Sequence, residues 1–138
     1  MAVLQAKDDI LKHSQLNKQL VDVPEWGEGT QVWVSELTSE AEDAYQASIV
    51  KQEGAGKKTE FKTDLANRKA KFAVQCIVDE NGKRVFSDND VSKVAALGAR
   101  ALNRIVDVGY ELSGMSMKDL EELEANLSGS PEDGSNSD

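Results

Sequence analysis

The spacing of apolar positions in this chain changes several times, and each change marks an element. The run LNKQLVDVP alternates apolar and polar side chains over residues 20–23 and stops at Pro24, as a strand does at its end. GEG follows as a turn. QVWVSEL then alternates again, with Val32 and Val34 on one face and Trp33 on the other. The two runs predict an antiparallel hairpin whose loop is PEWGEG, with both tryptophans of the chain, Trp26 and Trp33, inside it. Core anchoring is expected of both rings. Trp26 sits at the turn, where a ring is harder to bury, and is the better candidate for facing a partner. An exposed tryptophan there can be worth ~2 kcal/mol or more at an interface.

Beyond the hairpin the period lengthens. SEAE, from Ser39 to Glu42, reads as a capping box. Ala41, Ala44, Tyr45, Ser48 and Ile49 then share one helical stripe. KQEGAGKKTE, residues 51–60, reads as a glycine-interrupted polar loop. The next segment is ambiguous: Leu65, Phe72 and Cys76 fit a helix, while FAVQCIV is β-prone. The run from Asp64 without Gly or Pro decides for a helix. Asn81-Gly82 predicts a tight turn, with a short extended piece over 84–86 after it.

SDND from Ser87 is a second cap, and the clearest helix follows. Val94, Leu97, Ala101, Ile105, Val108 and Leu112 step by three and four, with Arg100, Arg104, Asp107 and Glu111 opposite. Gly98 is a candidate break within it. After SGMS, Ser116 and Asp119 suggest a third cap. Met117, Leu120, Leu123 and Leu127 form a narrow stripe flanked by Glu121, Glu122 and Glu124. A short helix holding Ile10 and Leu11 is expected near the start. The fold class is therefore α+β: an N-terminal β-hairpin or small antiparallel sheet packed on a bundle of three to five helices. Residues 1–127 make one domain, and SGSPEDGSNSD, 128–138, is too polar to offset its ordering entropy and is expected to be a disordered acidic tail.

Charge and chemistry narrow the function more than they define it. The formal net charge is -9, and residues 118–138 carry seven acids against one base. Between Lys57 and Lys71 the balance reverses, with Lys57, Lys58, Lys62, Arg68, Lys69 and Lys71 against Glu60 and Asp64. An acidic chain repels nucleic acid, so no nucleic-acid role is expected. The basic run reads either as a solvated face or as a dock for an acidic partner, such as the acidic tail of another copy. No run approaches a membrane span, and MAVLQAKDDILKH lacks the features of a secretory signal, so a cytosolic protein without membrane contact is expected. The single cysteine, Cys76, excludes an intrachain disulfide and fits a reducing compartment.

No catalytic, cofactor-binding or metal-ligating set can be assembled. His13 is the only histidine, and with Cys76 it cannot supply the roughly four ligands of a zinc site. Cys76, among Phe72, Ile77 and Val78, reads as a small core residue. DENGKRVFSDND imitates a calcium loop, but Lys83 and Arg84 fall at its fifth and sixth places, where a ligand and a glycine are needed. There is no GxGxxG and no GxxxxGK[ST].

The order of motifs is informative where single motifs are not. VDVPEWG, then VWVSELTSEAEDAY, then CIVDENGKRVFSDNDV, then the helix ending LSGMSMKDLEEL, resembles the tail assembly chaperones of long-tailed (siphovirus-type) bacteriophages and prophages. The resemblance covers residues 20–123. It implies a non-enzymatic protein of the host cell cytoplasm that binds the tape measure protein, a very long and largely helical chain. It further implies that the protein keeps this client soluble, recruits tail tube subunits and is absent from the finished tail. Many such proteins also have a longer form made by a programmed ribosomal frameshift. Self-association is a further expectation. A structural virion protein of the head–tail connector or tail is the alternative. The candidate partner-binding residues are Trp26, Met115, Met117, Leu120 and Leu123; methionine and leucine side chains suit an adaptable apolar contact.

Overall fold

The computed structural model describes residues 3–12, 15–53, 60–63 and 65–115, with only the backbone described for 51–53 and 60–63. In chain order the elements are α1 (Lys7–Leu11), β1 (Lys18–Asp22), a 3₁₀ turn (Pro24–Trp26), β2 (Gln31–Ser35), α2 (Ser39–Ser48), β3 (Val50–Glu53), β4 (Glu60–Thr63), α3 (Arg68–Cys76), β5 (Ile77–Val78), a second 3₁₀ turn (Asp88–Asp90), α4 (Val91–Ala95) and α5 (Ala99–Leu112). This is the expected α+β architecture. The third cap, the stripe of Met117, Leu120, Leu123 and Leu127, the acidic tail and His13 lie outside the described residues.

The predicted hairpin forms, and a third strand extends it. β1, β2 and β5 pair antiparallel in that spatial order. Alternation assigns the two faces. Val21 lies opposite Val32, and Val34 opposite Ile77, on the face that meets the helices. Leu20 pairs with Trp33, and Trp33 with Val78, on the other face. The expectation of core anchoring therefore separates the tryptophans. Trp26, half-buried, packs on the core. Trp33 instead covers the outer face, with the Lys18 ammonium 4.7 Å from its ring centroid. Strand parity decides this: Val34 is fully buried on the core face, so its neighbour must point away.

Several boundaries differ from the sequence reading. The expected polar loop after α2 contains strands: Val50–Glu53 pairs antiparallel with Glu60–Thr63 as a separate two-stranded ribbon. The helix expected from residue 64 begins at Arg68, and its β-prone end, Ile77–Val78, leaves the helix to become β5. The cap of α2 is Thr38, not Ser39: its hydroxyl accepts from the Ala41 N–H at 3.0 Å. Either hydroxyl could serve. The preceding residue sets the choice, because Leu37 is buried and its N–H donates to the Ser113 hydroxyl at 3.0 Å. The cap at Ser87 is a true capping box with Asp90. In the Asn81-Gly82 turn, Asp79 Oδ1 accepts from the N–H groups of Asn81 and Lys83 at 2.8 and 3.0 Å, which explains the calcium-loop lookalike without an ion.

The core forms where α3 crosses α5. Tyr45, Phe72 and Tyr110 meet edge to face, with centroids 5.0 Å apart for Tyr45–Phe72 and 4.5 Å for Phe72–Tyr110. The close approach depends on Gly109: a Cβ there would lie 2.6 Å from the Phe72 ring and 3.2 Å from Cys76 Sγ. The buried face of α5 is wider than the stripe read from sequence. It adds Leu102, Val106, Gly109 and Tyr110, because α5 packs on α3 along one side and on the sheet along the other.

Candidate functional site

Gly98 does break the long apolar period. It adopts φ -61 and ψ 141, an extended conformation between α4 and α5. The break makes a corner, and the corner leaves a groove. An open hollow of about 250 Å³ lies where α3, α4 and α5 meet, floored by Leu65, Ala70, Ala95, Leu97 and Leu102. Arg68 and Lys69 stand at its edge, and among the described residues no carboxylate lines it. Leu65 and Leu97 remain 37% exposed, so the apolar floor is open to solvent. Leucine at this level of exposure is retained at the cost of about 25 cal/mol for each Å² left in water.

The wall is rigid where it touches the core. Arg68 Nη1 donates to the Tyr110 hydroxyl at 2.8 Å, and that hydroxyl is 2.8 Å from the hydroxyl of Tyr45. Burial, with the Tyr110 hydrogen bond, pushes the Tyr45 phenol well above its ordinary range, so that ring stays a neutral link in the chain. Lys71 Nζ donates to the Ser48 carbonyl at 2.8 Å. Two cations of the basic run are thus committed to structure, whereas Lys69 is left facing the groove.

The two described sequence candidates, Trp26 and Met115, are not brought together. Trp26 sits beside the N-terminal half of α5, where the next-door Glu25 grips Arg104 with both carboxylate oxygens, at 2.6 and 2.8 Å. That fork holds the Glu25 carboxyl down at about 2. Met115 lies past the other end of α5, packed on the core. Roughly 12 Å of helix separates Arg104 from Leu112 at 1.5 Å per residue. Met117, Leu120 and Leu123 fall outside the described residues. The groove escaped sequence reading because three helices supply it with ordinary leucines and alanines. Its one local signal was Gly98 inside an unbroken apolar period.

A second apolar surface is at the start. Val3, Leu4, Ile10 and Leu11 are exposed, up to 70% for Val3, and α1 buries none of its side chains. These surfaces suit contact with another polypeptide. Among the described residues, groups for bond-making chemistry are not gathered: Cys76 is fully buried with its thiol pushed up to about 12, and no three metal-ligating side chains cluster. Among those residues no helix is long and apolar enough to cross a membrane.

Comparison with known proteins accords with a binding role. No curated protein sequence matches the chain. The structure of the bacteriophage HK97 tail assembly chaperone matches its fold with a TM-score of 0.54 at 20% identity, over 75% of this chain and 90% of that one. The family model described as phage tail assembly chaperone matches residues 7–126, most of the sequence. The chain belongs to the phage tail assembly chaperone family.

Proposed function

We propose that this chaperone binds the tape measure protein, keeps it in solution while the tail is built, and brings tail tube subunits to it. Family membership carries the reading, since a tail assembly chaperone acts on a protein partner in the host cytoplasm. The groove at the Gly98 corner supports it. An apolar floor with a cationic edge suits an amphipathic helix laid lengthwise, and a long helical client offers many of them. Met115, Met117, Leu120 and Leu123 are proposed as a second contact surface, and Trp26 as a contact beyond the far end of α5. The complex is an assembly intermediate, so the chaperone leaves before the tail is complete.

Co-expression tests this. A tape measure fragment made alone is expected to precipitate, and made with this protein to remain in the supernatant and co-purify with it. Equal precipitation with and without the chaperone overturns the proposal. Leu97→Asp, a change at an exposed position, should cut recovery of the soluble complex without unfolding the chaperone. Mass spectrometry of finished particles checks the last step: a stoichiometric signal from this chain would make it a virion component instead.

A further inference from the structure

The groove and the chain's own sequence beyond Met115 are complementary. The floor is apolar, with Arg68 and Lys69 at the edge and no acid among the described lining residues. Residues 116–127, SMKDLEELEANL, place Met117, Leu120, Leu123 and Leu127 at helical spacing and flank them with Asp119, Glu121, Glu122 and Glu124. Only Lys118 opposes those four acids. One partner offers an apolar floor with positive edges. The other offers an apolar stripe with negative edges.

Geometry puts the two within reach. α5 ends in a Schellman turn: Gly114, at φ 72, donates to the Glu111 carbonyl at 3.2 Å, and Met115 donates to the Tyr110 carbonyl at 2.8 Å. This turn takes the chain out of the line of α5 and anchors Met115 on the core. The residue that holds Met115 by its carbonyl, Tyr110, holds Arg68 by its hydroxyl. The exit of the chain and the groove wall are therefore joined by one tyrosine. A helix over 116–127 would be roughly 18 Å long, enough to run back along α5, itself about 21 Å.

We propose that segment 116–127 of the same chain seats its Met117–Leu120–Leu123 stripe in the groove between α3, α4 and α5, and is displaced when a client helix enters. Each apolar surface then covers the other while no client is present, which suits a protein that must stay soluble alone yet bind greasy helices on demand. Displacement exposes two client contacts at once. The inference rests on the groove being a client site, but its test uses no client, so either idea can fail without the other.

The experiment is disulfide trapping in the full chain. Leu97→Cys is paired with Leu120→Cys or with Leu123→Cys, and Val85→Cys, 54% exposed and outside the groove, is paired with the same positions as control. The native Cys76 is buried and stays out of the reaction. Under mild oxidation, at least one Leu97 pair should form an intramolecular bond about tenfold faster than its Val85 control, at a rate independent of protein concentration. Lys69→Glu should slow that bond several-fold, and Glu122→Lys added to it should restore the rate. Equal rates at positions 97 and 85, or no bond at all, would refute the seat. A bond that forms only between molecules and scales with concentration would refute its intramolecular character. Insensitivity to both charge reversals would remove the electrostatic half of the argument and with it the assignment of this segment.

Discussion

Two glycine-to-alanine changes in one protein should differ sharply in their cost to stability. In the interior of a helix, alanine is favoured over glycine by about 1 kcal/mol. Gly109 lies inside α5, yet its added Cβ would stand 2.6 Å from Phe72 Cε1 and 3.2 Å from Cys76 Sγ. Neither neighbour can give way: both are fully buried, and the ring is held edge-on by Tyr45 and Tyr110. Overpacking of this kind costs up to about 3 kcal/mol. Net of the propensity gain, Gly109→Ala should lose about 2 kcal/mol. With roughly 2.1 cal/mol/K of unfolding entropy per residue over 138 residues, that lowers Tm by about 7 °C. Gly98 meets no atom within 4 Å of where a Cβ would stand, and its φ of -61 suits alanine. Gly98→Ala should be close to neutral, the restriction of the unfolded chain being offset by the preference for glycine over alanine at the N-cap of α5, and should leave the groove intact. Thermal and urea unfolding followed by circular dichroism measures both. A double-mutant cycle isolates the cause: in a Phe72→Leu background the cost of Gly109→Ala should vanish, a coupling of about 2 kcal/mol. If Gly109→Ala melts at or above the parent temperature, α3 and α5 do not approach as described.

Three further outcomes follow from individual contacts. The fork with Arg104 holds the Glu25 carboxyl at about 2 instead of the ordinary 4.5, so its contribution is present above pH 4.5 and lost as pH falls toward 2; Glu25→Gln should lower stability at neutral pH, with the two unfolding curves converging across that acid window. Thr38→Ala should cost about 1 kcal/mol and Ser39→Ala a few tenths at most, since only the Thr38 hydroxyl caps α2; urea midpoints with unchanged slopes check this. The Cys76 thiol, pushed up to about 12 by burial, should react with a thiol reagent in the native protein only at the rate of unfolding, whereas reaction at the speed of a free thiol would show the α3–α5 interface to be open.

What could be read from the sequence was set by short-range chemistry. Alternation marked β1 and β2, Ser87 and Asp90 announced their own cap, Asn81-Gly82 its turn, and Gly98 the break in the apolar period. Elements defined by a distant partner were opaque. β5 is two residues that become a strand because β2 lies beside them, and Val50–Glu53 with Glu60–Thr63 is charged sequence whose pairing no local pattern signals. Trp26 packs on the core as expected, whereas Trp33 faces outward because parity along β2 is set by Val34, which could be judged only once the core was known. The groove was hidden for the same reason: Leu65 reads as the start of one helix stripe and Leu97 as part of another, and only the fold, with its corner at Gly98, brings both to one hollow.

The first helix has a thermal consequence of its own. Lys7–Leu11 is five residues long and buries no side chain, so burial among the described residues does not support it. A helix that short is marginal in water, and its population follows temperature smoothly instead of switching with the whole. Heating this protein should bleed a little helical signal steadily before the cooperative transition begins, and that early slope belongs to the leading residues and not to any loosening around Phe72.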